Sequence, residues 1–97
     1  MTTLRIEAPI TDFDTWKSAF DHGPIDRPAA GVRAHRIHRP VDDPGVALVD
    51  LDFDGRADAD AFLAALERVW ASAEAGSVLR GRPRALIVET VEDLVHA

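Results

Sequence analysis

The sequence predicts an α+β fold of order β-α-β-β-α-β, a four-stranded antiparallel sheet with two helices on one face. Three observations carry this. Short segments near both ends and in the middle alternate apolar and polar residues or run apolar and β-branched, as strands do. Two other segments repeat aromatic and aliphatic residues at helical spacing. Between the central strands stands "PVDDPG", with two prolines, two aspartates and a glycine, which is turn chemistry.

In chain order, "TLRIEAP" puts Leu4, Ile6 and Ala8 on one side and Arg5 and Glu7 on the other, the pattern of a half-buried strand that Pro9 ends. "ITDFDTWKSAFDHGP" reads as a helix with Thr11 as N-cap, Asp14 three residues on as a short capping box, and an apolar stripe of Phe13, Trp16 and Phe20. Gly23 and Pro24 stop it, and "IDRPAAG" is loop. "VRAHRIHR" and "GVALVDLDF" are the second and third strands. "GRADADAFLAALERVWASAEAG" is the stronger helix. Ala59, Phe62, Leu63, Leu66, Val69, Trp70 and Ala73 recur at helical spacing, with Asp58 and Asp60 in the first turn and Gly76 marking the latest end. "SVLRGRPR" is loop with room for a short helical turn, "ALIVETVE" the last strand and "DLVHA" a tail.

This order is that of the ferredoxin-like motif, and right-handed crossovers give strand order 4-1-3-2. Residues 1–97 form a single domain with no internal linker or repeat. The absence of cysteine excludes disulfides, thiolate nucleophiles and Cys-type zinc sites, and fits a reducing, cytoplasmic location. A net charge of −6 argues against nucleic acid as a partner. No apolar run is long enough for a membrane span, and "MTTLRIEAPI" lacks the apolar segment of a signal peptide.

The stretches "TDFDTWKSAFD", "GVRAHRIHRPVDDPGVALVDLDFD" and "ADAFLAALERVWAS" resemble the small bacterial proteins of the dimeric α/β-barrel superfamily, related to antibiotic-biosynthesis-monooxygenase-like and polyketide-cyclase-like proteins. The resemblance covers almost the whole chain. It implies a homodimer of two sheets packed face to face, with each subunit's pocket between its sheet and its helices. Members range from cofactor-free quinone-forming monooxygenases and muconolactone-isomerase-like enzymes, through haem-dependent enzymes, to plain ligand binders. No catalytic motif carries over residue by residue, and fold alone does not assign function.

Parity sorts the candidate residues, because strand side chains alternate. Pairing Ile37 with Val49 sets His35 beside Leu51 and Arg33 near Phe53, on the helix-covered face with Leu4 and Ile6. The helix stripes, Phe13, Trp16, Phe20, Phe62, Leu63 and Leu66, are expected to pack there against Leu4, Ile6, Val49, Leu51 and Val88. The opposite face receives Arg36 opposite Asp50, Ala34 opposite Asp52, and also His38, Arg5, Glu7, Ile87 and Glu89. It is either a solvated face of cross-strand ion pairs or a catalytic constellation. His35 is either a core histidine tied by one hydrogen bond or a pocket acid–base, expected within reach of Trp16 or Phe13. Arg33 is either a snorkelling cation or a stabiliser of an anionic substrate. Phe13, Trp16 and Leu51 complete the expected ligand pocket.

No metal site is expected. His35 and His38 face opposite ways, and Asp50 and Asp52 read as ion-pair partners of Arg36. No cofactor is expected; haem would need an axial ligand, for which His35 is the pocket-side candidate, while His22 ends the first helix. Arg80, Arg82 and Arg84 form a basic loop patch, either solvated or an anion gate over the pocket. The expected function is binding of a small aromatic or polyketide-like ligand between sheet and helices. The alternatives are a cofactor-independent monooxygenase or isomerase/cyclase using His35, and an interaction protein with a filled core.

Overall fold

Leu4, Ile6 and Ala8 alternate with charged residues, and in the computed structural model, which describes residues 1–97, they form the buried face of the central strand. The elements are β1 (Thr2–Pro9), α1 (Phe13–Asp21), β2 (Ala34–His38), β3 (Val46–Phe53), α2 (Arg56–Trp70), a short 3-10 helix (Ala73–Ser77) and β4 (Arg84–Glu89). The sheet order is β2-β3-β1-β4, all antiparallel, which is the expected 4-1-3-2 counted from the other edge. No helix is long and apolar enough to cross a membrane.

In β1–β3, Leu4 pairs with Leu51 and Ile6 with Val49. In β2–β3, His35 pairs with Leu51 and Ile37 with Val49, the register read from the sequence. One face of the sheet therefore carries the core. Leu4, Ile10 and Phe53 are wholly buried there, and Trp16, Ala59 and Phe62 cover them. The rings of Phe53 and Phe62 lie 5.5 Å apart at a tilted angle, a favourable aromatic arrangement. Helix α2 lies close against β1, β3 and β4, whereas α1 makes no comparably close backbone approach to any strand.

Two local expectations need correction, the cap of α1 and the faces of β4. Asp12, not Thr11, caps α1. Its carboxylate accepts from the Thr15 backbone N–H at 2.9 Å, while the Thr11 hydroxyl donates to the Ser77 carbonyl at 3.0 Å. Aspartate is the stronger N-cap, and Thr11 is held by the 3-10 segment. Helix α2 stops at Trp70, within the limit that Gly76 set. The Ser72 hydroxyl donates to the Val69 carbonyl at 2.6 Å, and the chain resumes as the 3-10 helix. The faces of β4 are reversed. Leu4 pairs with Ile87 and Ile6 with Ala85, so Ile87 lies on the core face, and Val88 lies beside Thr3 on the open one. The run "ALIV" has no alternation, so only its pairing with β1 decides parity.

At Phe53, truncation removes a ring packed on all sides. Phe53→Ala is expected to cost about 3–5 kcal/mol in urea unfolding. Val41→Ala, at a fully exposed position, is expected to stay within about 0.5 kcal/mol. Equal effects at the two positions would refute the placement of the core.

Candidate functional site

Because α1 stands off the sheet, side chains rather than backbone bridge the gap, and they do not fill it. A cavity of about 380 Å³ lies between sheet and helices. Ile6, Val49 and Leu51 form its floor, Trp16 and Phe20 of α1 one wall, and Phe62, Leu66 and Trp70 of α2 the other. The turn at Gly23 and Pro24 brings the following loop back along the cavity, adding Ile25 and Arg27. The polar members His22, Ser72, Glu74 and Ser77 are solvent-exposed and mark its opening.

The residues expected from the sequence divide across this cavity. Trp16 and Leu51 line it and are buried. Phe13 does not line it. Its ring packs on Trp16 at 5.8 Å and carries the Arg39 guanidinium at 4.6 Å. Arg33 points to solvent and donates to Asp54 at 2.7 Å. His35 lies on the helix side of the sheet, but its ring meets Phe20 edge-on at 5.4 Å rather than Trp16 or Phe13. Phe20 lines the cavity and His35 does not, so Phe20 stands between them. His35 is also exposed, on β2 at the edge of the sheet.

Two residues that parity could not find, His22 and Arg27, line the cavity where His35 and Arg33 do not. His22 is the C-cap of α1 and lines the cavity, with Nδ1 2.9 Å from the Ser18 carbonyl oxygen. A carbonyl can only accept, so Nδ1 carries the proton, and in the neutral ring Nε2 is left as an acceptor. Arg27 lies over the face of Phe20, its guanidinium carbon 4.1 Å from the ring centre, and donates Nη1 to the Phe20 carbonyl at 2.6 Å. The one sequence signal for this pair is "HGP". A glycine–proline stop turns the chain sharply, so what flanks it crosses the helix end. Of the basic loop patch, Arg80 is structural: it donates to the Ile10 carbonyl at 2.8 Å and the Gly45 carbonyl at 2.6 Å.

The opposite face of the sheet is a relay of ion pairs. Arg5 donates to both carboxylate oxygens of Asp50 at 3.0 and 3.1 Å. Arg36 pairs in register with Asp50 but reaches diagonally to grip Asp52 at 2.9 and 3.0 Å, staying 3.9 Å from Asp50. The Thr3 hydroxyl adds a bond to Asp52 at 2.8 Å. The Arg36 hydrogen bonds hold the Asp52 carboxyl below the ordinary aspartate range, against the opposing effect of its partial burial, and Thr3 helps. No three His, Asp or Glu side chains converge in a metal-ligand cluster.

No protein-family profile matches the chain, and no curated protein matches it significantly. Solved structures do. A Nitrosomonas europaea protein proposed to be an antibiotic biosynthesis monooxygenase superposes with a TM-score of 0.63 at 16% identity, over 93% of this chain and 89% of that one. A dimeric ferredoxin-like protein from an uncultured marine organism gives 0.66 at 12% identity, over 96% and 97%. An antibiotic biosynthesis monooxygenase gives 0.53 at 12%, over 95% and 100%. The chain has their ferredoxin-like fold. At such identities the likeness is one of backbone architecture, and the chemistry must be argued from this chain's own cavity.

Asp52 supplies a pH test. Its folded carboxyl binds protons more weakly than the unfolded one, so its stabilisation is present above about pH 4, the unfolded aspartate value, and is lost as pH falls through the lowered folded value. Urea midpoints measured from neutral pH into acid should decline less steeply for Asp52→Asn than for the parent. Parallel curves would show that Asp52 is not part of the acid response.

Proposed function

We propose that the chain binds a small, largely apolar, ring-bearing organic molecule in the cavity between sheet and helices. The cavity itself carries this reading. Its volume of about 380 Å³ falls in the range of about 300–1,000 Å³ typical of ligand sites. Its walls are mostly apolar and include four aromatic rings, with polar groups gathered at one side. A ring-shaped ligand gains dispersion and stacking against such walls that a flexible chain does not. Trp16 and Trp70 sit on opposite walls, so their fluorescence reports occupancy. An aromatic probe such as 8-anilinonaphthalene-1-sulfonate should quench it saturably. Leu66→Trp, which fills the cavity, should abolish the saturable phase while the protein still unfolds cooperatively. Quenching unchanged by that substitution would place the probe elsewhere.

We further propose that the binding unit is a homodimer joined through the open sheet face. Leu48, Leu86 and Val88 lie there, and Leu86 is 65% exposed. Arg5 and Arg36 are already paired with Asp50 and Asp52 within the chain, while Glu7 and Arg84, cross-strand neighbours without an ion pair, would keep water or pair across the interface. One neighbour in fold is itself described as dimeric. Sedimentation equilibrium at micromolar protein should give the dimer mass, and Leu86→Glu should shift it to monomer. A monomer at all concentrations would leave the face simply solvated.

His22 favours a second reading, proton transfer without a cofactor. Its ring lines the cavity and is held at Nδ1, which leaves Nε2 as an acceptor for a proton from an activated carbon or hydroxyl. If so, the protein should accelerate hydrogen–deuterium exchange beside the carbonyl of 2-tetralone, and His22→Ala should lower that rate by about 100-fold. His35→Ala should leave it unchanged. Loss on removal of His35 alone would return the chemistry to the strand histidine.

A further inference from the structure

Arg27 is the only lysine or arginine that lines the cavity; Arg39, Arg68, Arg82 and Arg84, which also make no ion pair, lie outside it. Arg5, Arg33, Arg36 and Arg56 each have an aspartate within 4.0 Å, and Arg80 is held by two backbone carbonyls. Arg27 is half-buried on the cavity wall with no carboxylate within that distance. The acids around it are engaged elsewhere. Asp21 takes the Lys17 ammonium at 2.6 Å, and Asp26 accepts from the Ala29 N–H at 3.2 Å. Glu74, the one carboxylate lining the cavity, makes no ion pair with Arg27.

The guanidinium is nonetheless held in place. Its Nη1 hydrogen bond to Phe20 and the ring beneath it fix the plane of the fork. The remaining N–H groups meet no protein acceptor, and no buried side-chain nitrogen or oxygen lacks a partner, so they are accessible to solvent on a residue that lines the cavity. A fixed, unpaired guanidinium beside an apolar cavity matches a carboxylate, which it can bind through two parallel hydrogen bonds. It is a local positive site in a chain of net charge −6, so it discriminates between ligands rather than adding to a general attraction for anions.

We infer that Arg27 makes the cavity selective for ring systems bearing one acidic group, a carboxylate above all, with the rings among Trp16, Phe20 and Trp70 and the acid at the fork. This rests on the ligand-binding reading above and adds the charge of the ligand to it.

The test uses the full chain and two probes of nearly equal shape, 2-naphthoate and the neutral 2-naphthamide, titrated against tryptophan fluorescence near neutral pH. The parent protein should bind the acid at least about tenfold more tightly than the amide. Arg27→Met should bring the two to within about twofold by weakening the acid alone, and Arg27→Lys should restore part of the preference. Equal binding of both probes to the parent, or a preference that survives in Arg27→Met, overturns the inference and leaves the ligand-binding reading standing. If neither probe binds, the ligand-binding reading fails and this inference falls with it. A cooperative thermal transition in each variant separates lost selectivity from lost folding.

Discussion

Leu4 opposite Leu51 and Ile6 opposite Val49 form the centre of the sheet, and none of the four is more than 5% exposed. Side chains alternate along a strand, so this one register sends Arg5, Asp50 and Asp52 to the other face together. A slip of β3 by one residue would put Asp50 and Asp52 under the helices and Val49 and Leu51 in water. The cross-strand ion pairs are thus a result of the core register as well as a support for it.

On the core face the two helices have different parts. Helix α2 lies close to three strands and, with Phe62 on Phe53, closes one side of the domain. Helix α1 meets the core through its own aromatic stripe, Phe13, Trp16 and Phe20, whose successive ring centres lie 5.8 and 5.3 Å apart. Phe20 is the junction of this series. It meets Trp16, presents a face to Arg27, receives the edge of His35 and forms part of the cavity wall. The features that distinguish the site from an ordinary core gather round that ring.

Much of the architecture was legible in the sequence because it depends on periodicity. Alternation in β1 and β3 and the stripes of the two helices leave one arrangement of layers, and the pairing of His35 with Leu51 followed from where Ile37 must go. Periodicity failed where it was absent. "ALIV" in β4 offered no alternation, and Ile87 and Val88 exchanged faces. The site was less legible for a related reason. Parity fixes the side of a sheet but not how far a helix extends over it, so it could not show that His35, on an edge strand, lies behind Phe20. Nor does it apply to the loop after α1, which supplies Arg27, or to the cap position that orients His22.

The separate seating of α1 divides labour within the domain. The sheet and α2 hold the chain together through close backbone packing, whereas one side of the cavity is set by a few rings on a helix that no strand closely abuts. Exchanging one of those rings for a smaller or larger side chain would reshape the chamber while the strand ladder stays as it is. A scaffold of this kind can vary the chamber on its α1 side, whereas the floor of Ile6, Val49 and Leu51 is shared with the core and is fixed by it.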